Sequence, residues 1–173
     1  RDIHNAAPGS TIRIPAGKFN VDSDAVLKIT GKTDLTIIGQ GEQTHLFSRH
    51  PEAEIISISN SNNIKVKGLT IYHAVEVACV ATCVSISDSK RITVEDCDIH
   101  GSGAYGVGVW GHGNKNVRII GNRIHDCSYW GVEFHAKGGE ISGNTFYDNG
   151  GKGGKSHIVG DLAGIEQRNN TMR

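Results

Sequence analysis

From Val94 onward, the sequence contains two full copies of one pattern and the beginning of a third. The copies read VEDCDIHGSGAYGVGVWGHGNKN, VRIIGNRIHDCSYWGVEFHAKGG and EISGNTFYDNGG. Alignment places Ile99, Ile124 and Phe146 at one position and pairs Val107 with Val132. Each full copy holds three short apolar runs separated by Gly, Asn, Asp and Ser, which is typical of strands bounded by turns. A repeat of this length without a helical period predicts one coil of a parallel β-helix, whose inward residues stack between coils.

The same plan extends over most of the chain and predicts an all-β solenoid of about six coils with three short strands each. The predicted coils cover residues 26–47, 55–72, 84–100, 107–125, 132–147 and 156–173. We expect a single domain over 1–173, in which 1–20 form an N-terminal cap and lead-in strand and 26–173 form the coils. The pattern stops mid-coil with Met172 in an inward slot, so we expect either chain continuation or an end-to-end partner at that edge.

Composition narrows the range of partners. Lys+Arg and Asp+Glu number 18 each, so no net charge draws the chain to nucleic acid or to an anionic membrane surface. No apolar run approaches the ~20 residues that cross a bilayer.

Cys79 and Cys83 both lie in the longest departure from the coil pattern, His73–Cys83, and we expect a disulfide between them. Such a bond fits an extracellular or periplasmic protein.

Strand alternation predicts which side chains face outward. In the first strand of each coil, Ile58, Ile86, Val109 and Phe134 point inward. The expected outward columns are Ser57, Ser85, Gly108 and Glu133, then Ser59, Ser87, Trp110 and His135, and, after the third strand, Tyr72, His100, His125 and Tyr147. Because coils lie about 4.8 Å apart, the members of a column should contact one another.

The coil plan, the opening phrase AAPGSTIRIPAGKFN and the recurrent corner residues Asn122 and Asn144 resemble proteins of the pectin-lyase-like superfamily. The resemblance implies a right-handed, single-stranded parallel β-helix. Its members include polysaccharide lyases, hydrolases and uronate epimerases, and also non-catalytic proteins. In the enzymes the polysaccharide usually lies along the outer face of the first strands, walled by the loops before them.

The stretch WGVEFH resembles the YG-x-DPH motif of mannuronan C5-epimerases, with Trp130 in place of Tyr and Phe134 in place of Pro. By this resemblance Glu133 takes the acidic role and His135 the acid/base role. The generic coil pattern, with any polar residue outside, explains the same stretch without catalysis.

The chemistry implied is removal of the proton alpha to a uronate carboxyl, as in epimerisation or β-elimination. It requires a base, an opposing acid and a cation beside the carboxylate. Here His135 is the candidate base, Tyr129 or Tyr147 the acid, and Arg123 or Lys137 the cation.

Trp110 is expected outward on the binding face, either stacking on sugar or packing under the preceding loop. His100 and His125 are candidate substrate-binding residues with Tyr147 and Lys137. They are equally explained as part of a Tyr/His ladder, and a two-His metal site at this point lacks an obvious carboxylate ligand.

No metal or cofactor is expected, and Ca²⁺ is only weakly indicated. The nearest carboxylates are Asp96, Asp98 and Asp126, which fall at a corner, in a third strand and in a loop. Asp98 lies beside Arg123 of the next coil, so a ladder ion pair explains it better than a calcium ligand.

The sequence therefore predicts a carbohydrate-active β-helix that acts on or binds an acidic polysaccharide, in the manner of a polyuronate lyase or epimerase. The alternative is a non-catalytic binding or structural β-helix, such as an adhesin, tailspike-like or adaptor segment.

Overall fold

Three parallel sheets form the faces of a prismatic solenoid in the computed structural model, which describes residues 3–21, 27–151 and 154–173. Sheet A contains β1 Thr11–Arg13, β4 Thr33–Ile38, β7 Asn62–Lys67, β10 Lys90–Glu95, β13 Lys115–Ile120, β16 Lys137–Ser142 and β19 Glu166–Arg168. Sheet B contains β2 Gly17–Asn20, β5 Thr44–Ser48, β8 Thr70–His73, β11 Asp98–His100, β14 Arg123–His125, β17 Thr145–Tyr147 and β20 Thr171–Met172. Sheet C contains β3 Leu27–Thr30, β6 Ile56–Ser59, β9 Val84–Ser87, β12 Val107–Trp110, β15 Val132–His135 and β18 Ile158–Asp161.

Each strand pairs in parallel with the equivalent strand one coil away, so the predicted solenoid of about six coils is confirmed. The pairing register reproduces the sequence alignment: Ile99 lies opposite Ile124, which lies opposite Phe146. Val109 lies opposite Phe134, and His100 lies opposite His125. A one-residue slip would turn every side chain to the other face, so this agreement also fixes which residues point outward.

The inward residues form one continuous aliphatic core along the axis. Residues of the predicted inward column of sheet C, including Ile58, Val109 and Phe134, are fully buried. Their outward neighbour Ser57 is only partly buried, as alternation requires. Stacking of like residues at the coil spacing removes apolar surface from water without the broad aromatic cluster of a globular core.

A buried polar ladder holds the corner between sheets A and B. Asn144 Oδ1 accepts from the backbone N of Asn122 at 2.9 Å, and Asn144 Nδ2 donates to the Ile119 carbonyl at 2.9 Å. Asn122 Oδ1 in turn accepts from the backbone N of Cys97 at 2.9 Å. Cys97 therefore occupies the slot of Asn122 and Asn144 one coil earlier. The corner amides thereby satisfy backbone groups that the turn leaves unpaired inside the protein.

At both ends of the solenoid the observed strands differ slightly from the predicted ones. Residues 11–20 already form β1 and β2, which pair with β4 and β5, so the lead-in segment is part of the solenoid. Ahead of it lies the 3₁₀ turn Ile3–Asn5, and the second such turn is Gly41–Gln43. Residues 1, 2 and 26 of the predicted cap and first coil lie outside the described residues. At the other end β18 begins at Ile158, two residues later than expected.

The predicted disulfide between Cys79 and Cys83 is wrong, because both are free thiols in the structure. Cys83 directly precedes β9, and its fully buried side chain turns into the core. There Cys83 Sγ lies 3.5 Å from His73 Nδ1 and 3.4 Å from the His100 carbonyl. Burial raises the pKa of the Cys83 thiol well above its usual range.

At the last coil, Met172 lies opposite Phe146 yet is half exposed. The predicted end-to-end partner at this edge stays a prediction. Among the residues that the structure describes, no helix is long and apolar enough to cross a membrane.

Candidate functional site

The outward side of sheet C, which we call the C face, presents the predicted acid/base residues. Strand alternation turns Glu133 and His135 outward from β15, while Phe134 between them is buried. Glu133 Oε1 lies 3.2 Å from His135 Nε2. The two side chains are partly exposed, at 26% and 41%. They therefore form an accessible carboxylate–imidazole pair of the kind that takes up and returns protons.

Tyr105 joins this pair from the loop before β12. Burial and then a hydrogen bond to the Glu133 carboxylate raise the pKa of the Tyr105 phenol. Glu133 thus lies between a phenol and an imidazole. A phenol, a carboxylate and an imidazole therefore stand together on the C face, and these are side-chain types that serve in general acid–base catalysis.

Trp110 folds back over the C face instead of standing out from it. A Cβ built on Gly108 would lie 1.8 Å from Trp110 Cζ3, so the indole occupies the space above that glycine. In the column of Ser57, Ser85 and Glu133, glycine is the residue that leaves room for the ring. The indole packs on Gly108 and next to Tyr105 of the preceding loop, and it stays partly exposed; stacking on sugar stays a prediction.

Three aromatic rings surround Tyr105, the hydrogen-bond partner of Glu133. The ring centroid of Tyr105 lies 5.8 Å from that of Trp110, 6.0 Å from that of Tyr129 and 6.5 Å from that of Trp130. Tyr129 is 56% exposed. We call Tyr105, Trp110, Tyr129, Glu133 and His135 the C-face cluster. Aromatic faces beside polar groups are the usual means of holding flat, amphipathic ligands.

Two lysines stand at the side of the C face nearest sheet A. His135 lines a cleft of ≈ 320 Å³ together with Lys115, Lys137, His112 and Asp161. Lys115 and Lys137 are exposed and lie in register on adjacent strands. They place two positive charges close to His135. Lys137, predicted as a substrate-binding cation, is therefore brought to the acid/base pair.

The structure does not bring Arg123, His100, His125 or Tyr147 to the C face, because all four lie in sheet B. Arg123 forms ion pairs with Asp98 and, at 3.2 Å, with Glu42. The predicted set of site residues thus divides between two faces. Within the C-face reading, Tyr129 and Lys137 remain the candidates for the acid and the cation.

In sheet B the aromatic and histidine rings form a stacked ladder. Successive centroids are 5.6 Å apart from Phe47 to Tyr72, 4.8 Å from Tyr72 to His100, 4.8 Å from His100 to His125 and 4.3 Å from His125 to Tyr147. The predicted Tyr/His ladder is present. Its spacing follows the distance between coils.

His125 is held between two carboxylates. Its Nε2 lies 2.7 Å from Asp98 Oδ1 and its Nδ1 lies 2.5 Å from Asp126 Oδ2. Burial lowers the pKa of His125, but the bonds to Asp98 and Asp126 outweigh burial and leave that pKa raised. Burial raises the pKa of Asp98, yet the contacts with His125 and Arg123 bring it below its usual value. For His100, burial and the neighbouring charge of His125 lower the pKa.

The three carboxylates considered for Ca²⁺ are occupied with other partners. Asp96 forms an ion pair with Lys67 at 3.3 Å, while Asp98 and Asp126 approach His125 from opposite sides. Within residues 3–21, 27–151 and 154–173, the ligating side chains near enough to share one ion are Asp98, His100 and His125.

Two C-face residues escaped the sequence reasoning. Tyr105 could have been found, because Tyr105-Gly106-Val107 aligns with Trp130-Gly131-Val132. Glu54 accepts a hydrogen bond from Ser85 Oγ at 2.7 Å and adds a second carboxylate to this face. No periodic signal marks Glu54, since it lies before its strand and outside the alternation.

The family described as a right-handed beta helix region matches residues 54–173. No curated protein matches the chain. Among solved structures, a protein of Parabacteroides merdae ATCC 43184 described as a glycosyl hydrolase has a TM-score of 0.67 at 12% identity, covering 94% of this chain and 80% of that one. An alginate lyase from Paenibacillus sp. str. FPU-7 has a TM-score of 0.70 at 14% identity, with 97% and 61% covered.

A protein of Geobacillus virus E2, ORF18, is also similar, with a TM-score of 0.66 at 14% identity over 94% of this chain and 33% of that one. The chain thus spans about three fifths of the alginate lyase and one third of the viral protein. At these identities the likeness concerns the fold.

Proposed function

Since the chain belongs to the right-handed beta helix family, we propose that its C face binds an acidic polysaccharide and that Glu133 and His135 catalyse proton transfer on a bound uronate. The observation that carries the proposal is the Glu133–His135 pair at 3.2 Å, which Tyr105 joins through Glu133 and links to the rings of Trp110 and Tyr129. The similarity to an alginate lyase and to a protein described as a glycosyl hydrolase supports a carbohydrate ligand.

Charge favours an acidic sugar over a neutral one. Lys115 and Lys137 line the cleft beside His135, together with the carboxylate of Asp161. A uronate carboxylate between these ammonium groups would have its charge neutralised as the adjacent C–H bond breaks. Trp110 and Tyr129 would stack on the sugar rings to either side.

In the proposed reaction His135 removes the proton alpha to the carboxylate, and the electron pair is delocalised onto that carboxylate. Tyr129 or Tyr105 then returns a proton. Protonation of the opposite carbon face gives the C5 epimer, and protonation of the departing glycosidic oxygen gives chain cleavage with an unsaturated uronate. Glu133, 3.2 Å from His135 Nε2, orients the imidazole.

The test is incubation of the purified chain with alginate, polygalacturonate and a neutral glucan. Ultraviolet absorbance reports unsaturated ends and proton NMR reports epimerisation. We expect turnover of a polyuronate only, and a loss of about 10²–10⁴-fold in kcat for His135→Gln, the usual contribution of one acid–base group. Lys137→Gln should raise KM, whereas Lys65→Gln, on the outer side of sheet A, should leave both constants unchanged.

The alternative is a non-catalytic binding or structural solenoid. It is favoured by the serines at the outward positions of β6 and β9, which give this part of the C face no acid–base group. In that case no polyuronate is converted, and His135→Gln binds the polysaccharide as the wild type does. Those two results together would refute the catalytic proposal and retain the binding face.

A further inference from the structure

A second cluster of chemically versatile side chains lies on sheet B, away from the C face. Asp98 and His100 point outward from β11, and His125 lies opposite His100 on β14. One ligand atom from each of the three lies within 4.8 Å of the others. The Asp98 and His125 side chains are only 14% and 12% exposed, so the cluster is recessed below the surface.

Asp126 fixes the ring of His125 from the other side. Its carboxylate accepts from His125 Nδ1 at 2.5 Å, while His125 Nε2 faces Asp98 Oδ1 at 2.7 Å. A histidine that binds a metal through one nitrogen almost always donates its other N–H to a carboxylate or carbonyl. Asp126 is placed to supply that outer partner, and it leaves Nε2 directed at the remaining members of the cluster.

Neighbouring side chains hold the other two members in place. The His100 ring is stacked between Tyr72 and His125. Arg123 bonds Asp98 Oδ2, which leaves Oδ1 turned towards His125. Asp98 and His125 therefore have their orientations set by contacts outside the cluster, as the ligands of an ordered metal site require.

We propose that Asp98, His100 and His125 form a binding site for a divalent transition-metal ion of the zinc class. Two imidazole nitrogens and one carboxylate oxygen are a donor set for Zn²⁺, with the fourth position left to water. Ca²⁺ is a poor fit, because it requires six to eight oxygen ligands. The ion would join β11 to β14 and so connect two consecutive coils.

The side chains must rearrange to bring the three ligand atoms to the spacing of a zinc site. Zn²⁺ ligands at 2.0–2.1 Å in a tetrahedron stand about 3.4 Å apart. The Asp98–His125 contact must therefore open slightly from 2.7 Å, and the widest separation must close from 4.8 Å. Because an imidazole nitrogen binds a metal in the plane of its ring, the His100 ring, which stacks on His125 at an interplanar angle of 13°, must also turn to direct a nitrogen at the ion.

The test titrates ZnCl₂ into the tag-free full chain after EDTA treatment, with calorimetry for stoichiometry and histidine-ring NMR for location. We expect one ion per chain and shifted ring signals of His100 and His125. His100→Phe keeps a ring in the stack but removes the nitrogen ligand, and should weaken binding at least about 100-fold. Asp126→Asn should weaken it about 10–100-fold. His112→Gln, an exposed histidine elsewhere, should bind like the wild type.

Several results would overturn the site. These are no binding by the wild type, unchanged His100 and His125 ring signals at saturation, unaltered affinity in His100→Phe, or Ca²⁺ affinity equal to that for Zn²⁺. Circular dichroism in EDTA establishes that each variant is folded, and the wild-type NMR titration decides the question even if a variant is not. The outcome is independent of polysaccharide turnover on the C face.

Discussion

Removing one amide from the corner ladder should cost a large part of the fold's stability. The Asn144 side chain is fully buried. Its Oδ1 accepts from the Asn122 backbone N–H at 2.9 Å and from Asn122 Nδ2 at 3.1 Å. Its Nδ2 donates to the Ile119 carbonyl at 2.9 Å and to Asn170 Oδ1 at 3.1 Å. Asn144→Ala therefore leaves a backbone donor and a backbone acceptor buried without these partners.

Each buried backbone group that loses its hydrogen-bond partner costs about 1–3 kcal/mol. We therefore expect the two lost partners to lower the free energy of unfolding by about 2–6 kcal/mol. A domain of this kind has roughly 5–15 kcal/mol in total, so the variant should be marginal. Urea unfolding with a fixed m value measures the loss. Thr145→Ala, the next residue along and directed outward, should stay within about 0.5 kcal/mol of the wild type.

Amide exchange locates the effect. The Asn122 amide should exchange faster in Asn144→Ala relative to amides of β9 and β12, because its acceptor has gone. A loss of less than about 1 kcal/mol, or exchange at Asn122 as slow as in the wild type, would refute the assignment of the ladder as a main support of the corner.

Three further predictions test the register, the indole position and the sheet B charges. Phe134→Asp should unfold the chain, because it buries a carboxylate in the core, while Ser57→Asp should be nearly silent in thermal melts; equal effects would show an inverted register. Gly108→Ala should displace the Trp110 indole and weaken oligouronate binding about tenfold with little change in melting temperature, whereas unchanged tryptophan emission would contradict the packing. Because the folded-state pKa of His125 is raised, its stabilising contribution should be fully present below pH 6.5 and lost as the pH rises through that raised value. The difference in unfolding free energy between wild type and His125→Phe, measured in EDTA, should shrink with rising pH, and a growing difference would reverse the sign.

Most of the fold could be predicted, because each coil of a solenoid shows the same sequence pattern as the coil before it. Ile99, Ile124 and Phe146 align in the sequence for the same reason that they pair in the structure, namely that each coil buries its face against the next. The ends were less predictable. Residues 11–20 lack a full repeat, so one lead-in strand was predicted where the structure has β1 and β2, and β18 begins two residues later than expected.

The sequence predicted which site residues point outward, but not which of them lie together on one face. Alternation turned Glu133, His135 and Trp110 to one face, as expected. The ion pair between Asp98 and Arg123 was predicted from their neighbouring ladder positions. The second ion pair of Arg123, with Glu42 81 positions away, could not be predicted, because such contacts depend on side-chain rotamers. The disulfide prediction failed for a similar reason, since spacing between Cys79 and Cys83 says nothing about the inward turn of the Cys83 side chain.

The proposal that the C face receives an acidic polysaccharide is tested most directly by tryptophan fluorescence during titration with an oligouronate. The chain has two tryptophans, Trp110 and Trp130, and both lie beside Tyr105 at this face. We predict a saturable change in emission that follows calorimetric binding, weakens with salt as the lysine contribution is screened, and is absent with a neutral glucan. Calorimetric binding of the oligouronate with unchanged emission, or no binding at low salt, would contradict the proposal.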